Sequence, residues 1–304
     1  MRRREVLSII GKASLAFLVD ATPLRRDAEA GHDPNMNTPV HIRHFTADNP
    51  GLMTLQGTNQ YIVGRENVIV IDVALGTDQN MDGILEQAEA LGAKKVERIL
   101  LTHIHRDHCG GALALKKRCG AKIGIFHSRS GYLGGEDFQF RNGDRIPFGD
   151  GELQAVHTPG HESGHCCFYE PQDRILFTGD HILGFGTTVI PYPDGDMKDY
   201  MQSLEKLLQF KISLILPGHG PMVGKPEAKI KEYIEHRLMR EQEVLRALGQ
   251  GRQTIGDITT AIYVDTPRAL LRVAEMSVHA HLIKLMREGR VKEEAGRYLL
   301  LKDK

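Results

Sequence analysis

The 304-residue sequence has few cysteines, no net charge and no long apolar run. None of its four cysteines belongs to a C-x-x-C pair, so neither a disulfide framework nor a zinc ribbon is indicated. The 39 Lys and Arg residues balance 39 Asp and Glu residues, which argues against a protein that binds polyanions over its whole surface. Because no stretch of about 18 apolar residues occurs, no integral membrane segment is expected.

What is present is an ordinary globular composition with an excess of histidine. Hydrophobic residues make up 41% and charged residues 26% of the chain, which predicts a packed core. Tryptophan is absent, whereas histidine occurs 15 times. That count bears on function only where histidines cluster at the spacings of metal ligands.

The order of predicted elements indicates an α/β fold. Short β-rich runs alternate with amphipathic stretches between residues 40 and 221, and the strands are predicted at residues 61–63, 68–72, 96–102, 121–127, 153–158, 166–169, 174–178 and 214–216. Helices are predicted at residues 79–91, 111–118 and 199–210. This mixture is typical of a layered domain, α/β or αββα, with its sites on loops at strand ends.

The last part of the chain differs from the rest. Three helices are followed by a hairpin, which together predict a small winged-helix unit over residues 228–248, 254–263, 267–288 and 291–301. Residues 236–304 contain 13 Lys and Arg but 9 Asp and Glu. This mild positive excess is explained equally well by a solvated face and by a nucleic-acid contact. The predicted domains are therefore residues 36–225, the layered domain that carries the motifs described next, and residues 226–304, the helical and winged-helix domain.

One motif concentrates imidazoles and a carboxylate at the end of a predicted strand. That strand leads into His103-Ile104-His105-Arg106-Asp107-His108. His103 and His105 are two residues apart in an extended segment and can project to one side. Asp107 and His108 lie where the chain turns into a helix, so they can reach a neighbouring point. This spacing favours two metal ions over one.

Three further segments end a predicted strand with one candidate ligand on a Gly or Pro turn. His161 follows Thr-Pro-Gly, Asp180 follows Thr-Gly, and His219 lies between two glycines. A rigid strand followed by such a turn holds a side chain in a fixed place, as a preorganised metal site requires. Any one of these histidines alone would be interpreted as structural, but the set predicts a metal centre.

These residues resemble the metallo-β-lactamase superfamily, whose H-x-H-x-D-H signature is matched at His103, His105, Asp107 and His108. The resemblance implies an αββα sandwich with two metal ions, usually zinc. It implies that the first ion is held by His103, His105 and His161, the second by Asp107, His108 and His219, and that Asp180 bridges both. Manganese or iron remain alternatives, because ligand type alone does not determine the metal.

A closer resemblance extends from about residue 50 to the tail. It rests on residues 55–61, on Gly-Asp-His-Ile-Leu-Gly at 179–184, and on Pro-Gly-His-Gly-Pro at 217–221. These segments look like the β-lactamase-like protein 2 family, which includes animal mitochondrial endoribonucleases and fungal polyketide thioesterases. One departure is His181, where animal members typically carry Cys. Because His181 adjoins Asp180, we expect it to affect metal affinity or the substrate mouth.

Hydrolysis is the chemistry that this set predicts. Two divalent ions that share a water supply hydroxide near neutral pH, so the predicted enzyme is a dinuclear zinc hydrolase that uses a bridging hydroxide. Asp107 is a catalytic candidate because it can bind a metal and orient the hydroxide. His165 is a second candidate, as a hydrogen-bond donor behind the ligands or an acid for the leaving group, with a structural role as the alternative. The substrate is either a small acyl thioester or ester, or single-stranded RNA.

Two other functions stay open at this point. A mono-iron oxidoreductase resembling persulfide dioxygenases would use the first three histidines only. A nucleic-acid-binding protein without catalysis would use the metals for structure. The presence of Asp107, His108 and His219 argues against both, because a two-metal site with an open water position is a catalytic arrangement.

The first 35 residues permit two interpretations. Arg3-Arg4 and the apolar residues 16–19 resemble a twin-arginine signal over residues 1–30, and export would follow. Lys12 and Asp20 interrupt that pattern. The alternative is an N-terminal extension or an over-extended start on a cytoplasmic protein.

Overall fold

Two mixed β-sheets form the centre of the computed structural model, which describes residues 38–149 and 151–301. The first sheet has its six strands in chain order: β1 Ile42–Thr46, β2 Asn59–Gly64, β3 Asn67–Ile71, β4 Lys95–Leu100, β5 Lys122–Phe126 and β6 Phe138–Phe140. Strands β1 to β3 pair antiparallel, and β3 to β6 pair parallel.

The second sheet has five strands: β7 Arg145–Phe148, β8 Gly151–His157, β9 Cys166–Glu170, β10 Ile175–Gly179 and β11 Leu214–Pro217. Their order is β11-β10-β9-β8-β7, with only the β10–β11 pair parallel. Because β8 and β10 both run opposite to β9, the C-terminal ends of β8, β10 and β11 lie at one edge of this sheet.

Seven helices are described, at α1 Asp78–Ala90, α2 Arg106–Cys109, α3 Ala112–Cys119, α4 Met197–Leu207, α5 Pro226–Gly249, α6 Ile255–Ile262 and α7 Arg268–Arg287. Several begin at side-chain caps that satisfy free backbone N–H groups. The Thr77 hydroxyl accepts a hydrogen bond from the N–H of Asn80, and the Asp196 carboxylate accepts from the first turn of α4. Helix α5 begins at Pro226, where a missing N–H costs nothing.

Three apolar layers hold the sheets and helices together. Aromatic and branched side chains such as Phe168 and Phe177 fill the space between the two sheets. Ile84 of α1 packs on the outer face of the first sheet, and Leu204 of α4 and Tyr233 of α5 pack on the outer face of the second. The αββα architecture that the sequence predicts is therefore confirmed.

The tail has a core of its own. Helices α5 to α7 and the hairpin β12 Val291–Glu294 with β13 Arg297–Leu300 bury Val244, Ile258, Val278 and Tyr298 together. The first half of α5 contributes instead to the layer on the second sheet. One helix thus belongs to both cores, so the proposed division at residue 226 remains a prediction.

Three strands were not expected from the sequence. In β1 only Ile42 is fully buried, β6 has three residues, and β7 contains Pro147, so none shows a clear apolar alternation. The two interpretations of residues 1–35 lie outside the described residues. Within residues 38–149 and 151–301, no helix combines the length and the apolar character needed to cross a membrane.

Candidate metal centre

Asp72 anchors the histidine motif and was not among the predicted site residues. It follows β3 with a left-handed φ of 61°. Its carboxylate accepts hydrogen bonds from the N–H and the hydroxyl of Thr102, both at 2.8 Å, and lies 2.7 Å from Nδ1 of His108. Asp72 thereby aims Nε2 of His108 into the site. A carboxylate that ends a buried strand beside the motif strand was the available sequence signal.

The first group of candidate ligands comprises His103, His105, His161 and Asp180. Nδ1 of His105 lies 3.0 Å from Nε2 of His103 and 2.9 Å from Nε2 of His161. Asp180 completes the group with Oδ2 at 3.7 Å from Nε2 of His161. These are the residues that the family resemblance implies for the first ion and for the bridge.

The second group comprises Asp107, His108, His219 and again Asp180. Nε2 of His108 and Nε2 of His219 are 3.2 Å apart. Oδ1 of Asp180 lies 3.2 and 3.3 Å from these two atoms, and Oδ2 of Asp107 lies 3.3 Å from Nε2 of His219. The two oxygens of Asp180 therefore face different groups.

The hydrogen bonds behind the ligands show which nitrogen of each ring faces inward. His161 and His219 each place Nδ1 against a backbone carbonyl, of Val189 at 2.6 Å and of Gly57 at 3.0 Å. A carbonyl only accepts, so Nδ1 carries a proton in both rings, and Nε2 is the nitrogen that remains to bind a metal. Tetrahedral ligands at 2.0–2.1 Å from zinc are about 3.3 Å apart, so the residues fit two such ions.

Burial and neighbouring charges shift the pKa values of the candidate ligands in different directions. Burial lowers the pKa of His161 to about 4, so its imidazole is neutral and ready to bind a metal. Burial alone would raise the pKa of Asp180, but His219 and His108 hold it well below its usual range. The pKa of His219 is about 9 despite its burial, because Asp180 and Asp107 favour its protonated form. Metal binding at the second group would therefore release a proton.

Glycine is required where the loops approach each other. A Cβ on Gly218 would lie 2.7 Å from Cε1 of His108 and 2.9 Å from Oδ1 of Asp180. Gly160, which precedes His161, has a φ of 136° and leaves no room for a Cβ beside the backbone of Tyr200. The Gly turns of the sequence thus bring the ligands into contact.

His165 and His181 lie behind the ligands. His165 is fully buried, with Nδ1 2.9 Å from the hydroxyl of Thr158 and its ring centroid 5.1 Å from that of His103. Burial holds the pKa of His165 well below its usual value. His181 packs on Tyr200 rather than joining either ligand group, and burial lowers its pKa to about 3.

Comparisons with known proteins agree with this arrangement. Residues 53–219 match the family described as the Metallo-beta-lactamase superfamily, and residues 254–297 match the Beta-lactamase associated winged helix domain. The second match confirms the winged-helix prediction for the tail.

Relatives of similar length occur in animals and fungi. The chain is 36% identical over 254 residues to a Beta-lactamase-like protein 2 homolog of Caenorhabditis elegans, covering 82% of this chain and 85% of that one. A Beta-lactamase-like protein 2 homolog of Drosophila melanogaster is 34% identical over 80% of this chain and 87% of its own. Lactamase-like protein vrtG of Penicillium aethiopicum is 31% identical, with 84% of each chain covered.

Solved structures share the fold at low identity. A metallo-beta-lactamase family protein from Thermus thermophilus superposes with a TM-score of 0.73 at 20% identity, covering 86% of this chain and 99% of that one. A beta-lactamase domain protein from Burkholderia ambifaria gives 0.74 at 18% identity, covering 88% and 93%. The likeness therefore includes the tail as well as the sandwich.

Proposed function

Because the chain belongs to the metallo-beta-lactamase superfamily, we propose that it is a hydrolase that uses two metal ions, with zinc as the first candidate. The observation that carries this proposal is the pair of ligand groups that share Asp180. We assign His103, His105 and His161 to one ion, and Asp107, His108 and His219 to the other. Five imidazoles and two carboxylates suit zinc, and they also suit manganese or iron.

Asp107 is the residue that we assign to orienting the attacking water. When bound, two divalent ions would lower the pKa of a shared water and polarise the oxygen of the bond to be cleaved. The side chain of Asp107 is 26% exposed, against 12% for Asp180, so Asp107 is the more accessible carboxylate of the group. Its carboxylate can accept a hydrogen bond from the water and direct the water's lone pair toward the substrate.

For His165 we favour an orienting role. A leaving-group acid must come within hydrogen-bond distance of the substrate. His165 is fully buried, and its Nδ1 is engaged with Thr158. Its ring packs beside His103, where it restricts the movement of that ligand.

The alternative functions use less of the site. A mono-iron oxidoreductase would leave Asp107, His108 and His219 without a role, although they converge as closely as the first group. A nucleic-acid-binding protein without catalysis would not need the partly exposed carboxylate of Asp107 beside the other ligands. The two-metal hydrolase accounts for all seven residues.

We infer that the substrate is an acyl thioester or ester. The ring of Phe185 lies against Gly220, next to His219, and is 48% exposed. Tyr192, on the same segment, is also 48% exposed. An exposed aromatic ring next to a candidate ligand, as Phe185 is to His219, favours an acyl chain over a phosphate backbone.

Single-stranded RNA is the second candidate, because α7 presents two exposed arginines. Arg268 and Arg272 are one helical turn apart and exposed, and neither forms an ion pair within the described ranges. Two arginines provide little positive charge for binding a polyanion, but they lie on the winged-helix unit, where a nucleic-acid contact is expected.

Parallel assays with zinc-loaded protein distinguish the thioesterase hypothesis from the ribonuclease hypothesis. We expect turnover of a neutral acyl thioester, with little change between 50 and 200 mM salt, and no cleavage of end-labelled single-stranded RNA. RNA cleavage whose rate at subsaturating RNA falls steeply over that salt range would favour the nuclease instead. Protein that binds zinc but hydrolyses neither would contradict both assignments.

Replacing Asp107 by alanine should lower kcat by about 10²-fold or more, since a group positioned at the reacting water contributes typically 10²–10⁴-fold. We expect the melting temperature of the metal-free protein to change little, because Asp107 is partly exposed. Steady-state kinetics on the better of the two substrates and thermal unfolding check this. Asp78→Ala, which removes a carboxylate from the first turn of α1, is the matched control. A fully active, metal-loaded Asp107→Ala variant would contradict the role.

A further inference from the structure

The irregular segment between β10 and α4 touches the first ligand group. We call residues 184–196 the strap. Val189 of the strap accepts a hydrogen bond from Nδ1 of His161, and the hydroxyl of Thr188 lies 3.1 Å from the same atom. At the end of the strap, the N–H of Asp196 donates to the carbonyl of Gly160 at 2.8 Å. The orientation of His161 therefore depends on where the strap lies.

Helices α5 and α7 hold the strap from the other side. Arg237 of α5 donates through Nη2 to the carbonyl of Thr188 at 2.5 Å. Arg287 of α7 forms an ion pair with Asp196, and the ring of His279 packs edge-on against Tyr192 with centroids 5.1 Å apart. The strap thus connects the tail to the site.

Arg237 is an unusual residue for this position. Its side chain is 2% exposed, and no ion pair joins it to a carboxylate in the part of the chain that the structure describes. Besides Thr188, it contacts the face of Tyr200, with 5.4 Å between the guanidinium carbon and the ring centroid. A buried charge without a counter-charge costs folding free energy, so an apolar residue of similar length would serve packing better.

We propose that Arg237 is a positioning residue for the first metal group. By holding the carbonyl of Thr188, it places the Thr188 hydroxyl and the Val189 carbonyl where both meet Nδ1 of His161. Nε2 of His161 is then aimed at His105 and Asp180. The inference rests on the proposed two-metal function and adds that a side chain of the C-terminal helices controls the affinity of one of the two sites.

The test is zinc binding by metal-free protein in competition with a chromophoric chelator. We expect the unmodified chain to bind two equivalents of zinc. Arg237→Met should also bind two, but one of them about 10–100-fold more weakly, which is the usual cost of removing a group that orients a metal ligand. Arg237→Lys, which keeps a charged donor, should recover part of the loss. The melting temperature of metal-free Arg237→Met should not fall, because a buried unpaired charge has been removed.

Arg240→Met is the matched control. Arg240 is likewise a buried arginine of α5, but it packs over Tyr263 and pairs with Glu243. We expect it to bind both equivalents as the unmodified chain does. Equal weakening in both variants, or none in Arg237→Met, would overturn the proposal.

Two further variants keep the outcomes separate. Thr188→Val removes the hydroxyl beside His161 and should weaken binding of the same zinc equivalent as Arg237→Met. This variant tests the contact between the strap and His161 even where Arg237→Met fails to fold. His161→Ala should abolish that equivalent and so identifies it. An unmodified chain that binds fewer than two equivalents would contradict the two-metal function itself, independently of Arg237.

Discussion

Replacing Asp180 by asparagine should reduce kcat by at least about 10³-fold. Changes to groups that only orient a metal ligand already cost 10–100-fold, and Asp180 is the one side chain that belongs to both ligand groups. Asparagine keeps the size of the side chain but offers one uncharged oxygen in place of two anionic ones. We therefore expect both sites to weaken together.

Kinetics and the zinc content after dialysis measure this effect. Asp173→Asn is the control, because Asp173 precedes β10 whereas Asp180 follows it, so the two carboxylates lie at opposite ends of one strand. Asp173 lies near His41 and Glu170, and both oxygens of Glu170 are engaged by backbone N–H groups of the turn. Normal turnover by Asp180→Asn with two zinc ions bound would contradict the shared-ligand role.

Replacing Tyr233 by alanine should lower the free energy of unfolding by about 3–5 kcal/mol, the usual cost of truncating a buried aromatic residue. Tyr233 is fully buried where α5 packs on the second sheet. Its hydroxyl accepts a hydrogen bond from the N–H of Leu183 at 2.9 Å, just before the strap. The substitution opens a cavity and leaves that N–H without its partner.

Thermal unfolding of the metal-free protein measures the loss, and we expect the melting temperature to fall by about 10 °C. Tyr233→Phe keeps the ring and removes only the hydroxyl, so it should cost about 1–3 kcal/mol, the penalty of a buried N–H left unpaired. If both variants lost the same stability, the ring would not be the anchor of α5. Unchanged stability in both would contradict the packing described for this helix.

The residues of the two candidate groups could be chosen from the sequence because each lies on a short local pattern. The spacing of His103, His105, Asp107 and His108 and the Gly turns around His161 and His219 are properties of a few consecutive residues. Strand ends and tight turns depend on local periodicity and on the conformational freedom of glycine. The seven predicted ligands accordingly lie together in two groups.

The supporting residues could not be predicted in the same way. Asp72 and His108 are 36 residues apart, and Arg237 and Thr188 are 49 apart. In the sequence, Asp72 is the last residue of a predicted strand, and Arg237 is one charged residue among many on a long helix. The place of Asp72 at a strand end was the available signal for that residue, whereas nothing in the neighbours of Arg237 marks it as different.

The sequence by itself therefore determined the fold class, the winged-helix tail and the set of candidate ligands. Each of these follows from patterns within a few turns or strands of the chain. Only the tertiary structure decided that Asp180 faces both groups, that His165 lies out of reach of solvent, and that the tail meets the strap behind His161. These contacts depend on how the two sheets and α5 pack, and packing joins residues that are distant in the chain.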